Sequence, residues 1–159
     1  MNHTEMTASV VVPKRTRATV LKERVKIRLA TDEAGPLIAE VLKENGIEVP
    51  GASWDKVFPN WLIACDGDNV LGCIQVMPAK PVGWLEFLFT KKSAPYKFRV
   101  IAFRKLLEQG AGTLQMAGCS YVLGTVEPGN KAFMDILAKY QAINVGRVNL
   151  MAWRTPRIQ

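Results

Sequence analysis

Four residues near the middle of the chain, Asp66-Gly67-Asp68-Asn69, separate two apolar runs, 61–65 and 70–77. Asp-Gly between β-forming runs is hairpin chemistry, because glycine takes the left-handed backbone that a tight turn demands. The middle of the chain is thereby committed to an antiparallel pair. A second turn at 78–81 returns the chain into 82–90, a third strand carrying Trp84, Phe87 and Phe89.

The flanks alternate between strand and helix periods. Val25, Ile27 and Leu29 alternate with Lys26 and Arg28, which predicts a half-buried strand. Thr31-Asp32-Glu33 reads as a helix N-cap with acids in the first turn. Leu37, Ile38, Val41 and Leu42 follow at helical spacing, and Asn45-Gly46 is a C-terminal stop. Residues 48–59 read as a loop around Pro50-Gly51, with Trp54 and Phe58 as candidate anchors. After the third strand, Ser93-Ala94-Pro95 breaks the chain. A helix over 97–109 is expected from Phe98, Ile101, Ala102, Lys105 and Leu106, its end weakened by Gly110 and Gly112, with resumption to Ala117 as the alternative. A strand at 121–126 ends at Pro128-Gly129. Asn130 caps a further helix whose apolar residues are Phe133, Met134, Ile136 and Leu137. Gly146 marks a turn, and 148–153 is the last strand. The order β–α–β–β–β–α–β–α–β is an α+β arrangement: a central mixed sheet with helices on its faces. It occupies 25–159, behind a basic extended arm over 1–24.

Several function classes fall away at once. With 159 residues, 48% of them apolar, the chain is one domain able to bury a core without staples. No apolar run approaches the roughly 18 residues of a membrane span. The run 8–12 stops at Pro13 and is too short for the core of a signal peptide, so secretion by one is not expected. Cys65, Cys73 and Cys119 show no C-x-x-C spacing, which argues for buried thiols and against a disulfide framework or a metal site. The sole histidine, His3, sits in a polar tail, poorly held for a catalytic triad.

The formal charge is +7. Residues 91–105 hold Lys91, Lys92, Lys97, Arg99, Arg104 and Lys105 and no acid. Lys14, Arg15, Arg17, Lys22 and Arg24 make the arm basic too. Such patches suit a polyanion: a phosphorylated cofactor, a membrane surface, or a nucleic acid contacted through 91–105; the arm also suits a macromolecular assembly.

The order of elements resembles the GNAT superfamily of N-acetyltransferases over roughly residues 25–153. The central strand runs into a basic loop and a helix, and Asn130 and Ala132 stand where that family has its asparagine and alanine. The resemblance implies acetyl-CoA held by Phe89, Thr90, Lys97, Arg99, Ala102 and Asn130. It implies Glu86, on the central strand, as the base that deprotonates the amine; the alternative is a carboxylate that faces solvent or pairs with a lysine. The family's pyrophosphate loop reads R/Q-x-x-G-x-G/A; here Tyr96-Lys97-Phe98-Arg99-Val100-Ile101-Ala102 contains no glycine. The family's tyrosine acid falls on Leu137; Tyr140 substitutes only if the helix is shifted.

A narrower resemblance is to the GNAT-like internal virion proteins of short-tailed bacteriophages. It is carried by 39–50 with Asn45-Gly46-Ile47-Glu48, by the strand led by Trp84, and by Phe103-Arg104-Lys105-Leu106. It implies a phage protein that has lost acyl transfer and serves as a virion or assembly component, located in the virion or host cytoplasm, with virion proteins as partners of the arm. An N-acetyltransferase with a divergent cofactor loop is the alternative. The gap between strands 82–90 and 121–126 decides between them, because a gap filled by side chains excludes a pantetheine arm.

Overall fold

The computed structural model describes residues 17–48, 60–127, 129–144 and 150–154. Most of the arm with His3, the loop residues Trp54 and Phe58, and Gly146 lie outside them.

The hairpin forms as its turn residues dictate. β2 (Trp61–Asp66) and β3 (Asn69–Ala79) pair antiparallel across a turn in which Gly67 has φ 61°. β4 (Val82–Thr90) pairs antiparallel with β3, and β1 (Val25–Leu29) with β2. β5 (Tyr121–Thr125) joins β4 in parallel. β6 (Ile143–Asn144) and β7 (Leu150–Arg154) complete the seven-stranded order β1-β2-β3-β4-β5-β7-β6. At two residues, β6 is too short to leave an alternation in the sequence. A parallel pair requires a crossover, and α3 (Tyr96–Met116) supplies it across one face of the sheet.

β2 shows why the sheet is covered on both sides. Every residue of its apolar run is buried, and successive side chains point to opposite faces. Trp61, Ile63 and Cys65 pack with Ile38, Val41 and Leu42 of α2 (Gly35–Glu44). Leu62 and Ala64 belong to the other core, with Leu106, Leu107 and Leu114 of α3. α4 (Lys131–Ala138) lies on this second face, where Phe133 meets Phe103 edge-on at 5.0 Å. All three cysteines are buried.

Three local expectations change. Thr31 flanks a single 3-10 turn, Asp32–Ala34, without a side-chain cap, and α2 begins only at Gly35 with Pro36 in its first turn. α3 runs unbroken through Gly110 and Gly112 to Met116. Gly110 is there for packing: a Cβ on it would lie 2.9 Å from Leu85 Cδ2. The arm is helical, not extended, over α1 (Arg17–Arg24). Arg24 grips Asp66 with Nε–Oδ1 at 3.1 Å and Nη2–Oδ2 at 2.6 Å, and lies 5.2 Å over the Phe98 ring. Lys105 Nζ donates to the carbonyls of Lys22 and Val25, both at 2.7 Å, and so caps the C-terminus of α1.

Candidate functional site

β4 and β5 pair from Val82↔Tyr121 to Leu85↔Gly124 and then diverge. The V between them is open. It holds a cleft of about 970 Å³. Glu86 to Thr90 form one wall and Gly124 to Glu127 the other. α3 contributes Arg99, Phe103 and Leu107, four residues apart and so on one helix face. α4 contributes Ala132, Phe133, Ile136 and Leu137, and Asn45 to Ile47 close the α2 side. The gap is therefore not packed shut by side chains.

A bulge shapes the β4 wall. Gln75 pairs with Glu86 and Cys73 with Phe89, so two steps on β3 match three on β4. Phe87 takes up the extra residue at φ 51°, a left-handed conformation that costs a non-glycine residue about 1–3 kcal/mol. Stacking on Trp61, with ring centroids 5.8 Å apart, holds it there. Gly72 is essential to the approach: a Cβ on it would sit 2.5 Å from the Phe89 carbonyl oxygen. The Cys73 thiol donates to the Phe87 carbonyl at 3.9 Å. Burial pushes that thiol up to about 12, so it stays protonated and able to donate. A carbonyl and the N–H that follows it point opposite ways across a trans peptide. The Leu88 N–H is thus turned away from Cys73 and the α2 face. β5 pairs no further than Leu85, so none of its residues claims that N–H.

Glu86 is the first residue beyond the last β4–β5 rung, half-buried at the vertex of the V. Leu85 packs in the α3-side core, so alternation puts Glu86 on the α2 side.

The other end of the cleft is cationic, with Lys92 and Arg99 in its lining. Arg99 Nε donates to Thr90 Oγ1 at 3.4 Å. The segment without acids along the chain meets acids in space. Lys91 pairs with Glu40 of α2 at 2.8 Å. Glu44 receives the Ser93 N–H at 2.9 Å and its hydroxyl at 2.8 Å. Burial raises the Glu44 pKa, but those hydrogen bonds and the Lys91 charge outweigh it and hold the carboxyl below its ordinary value.

The backbone donors of this loop are mostly spent. Besides Ser93, the Ala94 N–H goes to the Lys91 carbonyl at 3.1 Å. Those of Phe98 and Arg99 go to the Pro95 carbonyl at 3.0 and 3.2 Å. Pro95 has none. No residue from 93 to 98 lines the cleft.

Of the residues expected from sequence, Glu86, Phe89, Thr90, Arg99 and Asn130 come together in the cleft lining. Asn130 Oδ1 accepts from the Phe133 N–H at 3.2 Å, which caps α4 and leaves its amino group as a donor. Lys97 does not line the cleft; it is exposed on the first turn of α3. Ala102 is a core residue with no exposed surface. Tyr140 also lies off the cleft, because α4 ends at Ala138 and the chain turns there. Its hydroxyl is 3.2 Å from Glu108 Oε1, and burial followed by the Glu108 charge raises its pKa. Leu137 is buried in its place. Lys92, which the sequence placed in the basic patch, lines the cleft, whereas Thr125, Phe133 and Asn45 line it without a sequence signal that marked them as site residues. Among the described residues, no helix is long and apolar enough to cross a membrane.

No protein-family model and no curated protein matches the sequence. Solved structures do match the fold. N-acetylglutamate synthase from Neisseria gonorrhoeae, crystallised with coenzyme A and L-arginine, superposes with a TM-score of 0.69 at 15% identity. The match covers 84% of this chain and 34% of that one, so this chain spans about a third of the synthase. The PaiA N-acetyltransferase of Thermoplasma acidophilum, in complex with coenzyme A, gives 0.65 at 16% identity over 82% and 98% of the two chains. A putative acetyltransferase, yncA, from Salmonella typhimurium with acetyl-CoA gives 0.62 at 13% over 85% and 96%. These matches do not bear on the narrower resemblance to phage virion proteins.

Proposed function

We propose that this chain, which has the GNAT N-acetyltransferase fold, transfers an acyl group from a pantetheine thioester such as acetyl-CoA to an amine. The observation that carries the reading is the open V beyond Leu85 and Gly124. A pantetheine arm is extended and carries two amides. Diverging strands whose facing edges have no strand partner suit it, as an added strand suits a sheet edge.

The donor set fits that arm. The Asn130 amino group and the edge of β4 from Leu88 to Thr90 would hold its amides. Ala132, Phe133 and Ile136 supply an apolar floor. A bound thioester supplies an activated acyl carbon, whose bond to sulfur breaks as the bond to nitrogen forms. The chain's own residues do the rest. The Leu88 N–H at the bulge is placed to stabilise negative charge on the acyl oxygen, a contribution of roughly 3 kcal/mol per donor in other acyl transferases. Glu86 at the vertex takes the proton from the attacking amine, directly or through one water. No tyrosine lines the cleft, so the departing sulfur takes its proton from solvent. The diphosphate of a nucleotide fits less well, because the loop amides that would cradle it are spent internally.

The reading of a non-catalytic virion component rests on the missing glycines, Leu137 and the basic arm. The test is binding of acetyl-pantetheine and acetyl-CoA by calorimetry, with Ala132→Trp as a variant that fills the cleft. Binding of both that is lost in Ala132→Trp supports the proposal. A folded wild type that binds neither at millimolar concentration sinks it.

A further inference from the structure

We propose that the acyl donor is a 4′-phosphopantetheine arm borne on an acidic carrier protein, with one phosphate where coenzyme A has a nucleotide diphosphate. The inference rests on the acyl-transfer reading of the cleft and concerns what lies at its mouth.

The cleft offers an anion two side chains and almost no backbone. Lys92 and Arg99 reach its lining. Of the residues from 93 to 99, only Tyr96 and Lys97 keep an N–H that is not already bonded, and neither lines the cleft. A diphosphate held by a helix start needs several converging amides and small residues for close approach. Phe98, Val100 and Ile101 are half-buried here and bring side chains to that turn. A single phosphodiester asks for less. It carries a single negative charge, and side-chain donors on flexible stems hold it without the close backbone approach that this turn does not offer.

Outside the mouth the surface changes character. Tyr96 is 75% exposed, and Lys97 beside it and Arg104 two turns along α3 are exposed as well. The hydrogen bonds and ion pairs of the described residues give neither cation an acid partner. An exposed tyrosine and arginine are residue types that interfaces favour, and Lys97 adds a cation at the rim. On a chain of formal charge +7 this surface selects an acidic partner. Such a partner delivers the arm through the mouth, with its phosphate at Lys92 and Arg99.

The reaction balances as an acyl transfer. The amine nitrogen bonds to the acyl carbon, the carbon–sulfur bond breaks, and the amine proton leaves through Glu86. The carrier's sulfur departs with the electron pair and takes a proton from solvent, leaving an amide and a free carrier thiol.

Four probes separate the possibilities: acetyl-pantetheine, acetyl-4′-phosphopantetheine, acetyl-CoA and an acetylated bacterial acyl carrier protein, with binding measured by calorimetry and by NMR titration. The phosphate should tighten binding over acetyl-pantetheine by about tenfold, the scale of one charge-assisted contact. Acetyl-CoA should gain nothing further. The acetylated carrier should bind at least tenfold tighter than acetyl-4′-phosphopantetheine at low salt. That gain should vanish at high salt and in Lys97→Glu/Arg104→Glu, a surface variant that leaves the small phosphorylated probe within about twofold. Acetyl-CoA binding tenfold tighter than acetyl-4′-phosphopantetheine overturns the proposal, as does a carrier that binds no better than the small probe. Those outcomes leave acyl transfer standing. If acetyl-pantetheine and the other probes all fail to bind, the acyl-transfer reading itself falls.

Discussion

Two glycines sit two residues apart in α3, and the structure assigns them opposite roles. An alanine at Gly112 would find no heavy atom within 4 Å. An alanine at Gly110 would meet Leu85 Cδ2 at 2.9 Å and Ile74 Cδ1 at 3.4 Å, both in the core that seats α3 on β3 and β4. Either substitution gains the helix-propensity difference between alanine and glycine, about 1 kcal/mol in a helix interior. Part of that gain comes from the unfolded chain, and it is nearly common to the two sites. Gly112→Ala should therefore stabilise by about 1 kcal/mol, raising Tm by roughly 2–4 °C in a domain of this length. Gly110→Ala carries the same gain minus an overpacking cost of about 1–3 kcal/mol. The difference between the two variants isolates that cost. Urea unfolding followed by circular dichroism reads it as a lower midpoint for Gly110→Ala than for Gly112→Ala at an unchanged slope. Leu85→Val shortens the side chain that the new methyl meets, so Gly110→Ala should cost less in that background. Equal shifts for both alanines would refute the close approach of α3 to Leu85. Destabilisation by Gly112→Ala would refute a continuous helix from Tyr96 to Met116.

Glu86→Gln should lower kcat by about 10²- to 10⁴-fold with any amine acceptor the wild type turns over, while thioester binding stays intact; a rate within threefold of wild type removes Glu86 as the base. Glu44 has a lowered pKa in the fold, so its contribution is present above the unfolded carboxylate pKa and is lost as pH falls through the folded one. The stability gap between wild type and Glu44→Gln should therefore be wider at pH 7 than at pH 3; a gap independent of pH contradicts the Ser93 bonds. Cys73, with its thiol near 12 and no exposed surface, should react with a disulfide reagent at pH 8 only as fast as the sheet opens. Labelling at the rate of a free thiol would show that the bulge is not packed as described.

The features legible in the sequence are those made by neighbours in the chain. Asp66-Gly67 sets its turn, Asn45-Gly46 ends α2 with Gly46 at φ 80°, and Asn130 caps α4 with its own side chain. The features that escaped are made by residues far apart. The bulge at Phe87 depends on Gly72 coming close enough for Phe89 to touch it, and a lone glycine in a strand pattern does not announce that. Glu44 and Ser93 are 49 residues apart, so no local pattern links them. Tyr140 misled because helical counting from Asn130 assumes the helix continues. The turn after Ala138, with Gln141 at φ 59°, carries it off the axis to Glu108.

Charge obeys the same distinction, with consequences for the site. Along the chain, 91–105 is a block of six cations without an acid. In space it divides by function. Lys91 is neutralised by Glu40, and Lys105 is spent on the carbonyls that end α1. Both serve to fix the loop and α1 against the domain. Lys92 and Arg99 face the cleft. Lys97 and Arg104 face solvent outside it. A small anion in the cleft leaves the outer pair unmatched. A nucleic acid lying along the outer pair leaves the cleft cations and the open V without a role. A protein that inserts a phosphorylated arm while presenting its own acids engages both pairs at once.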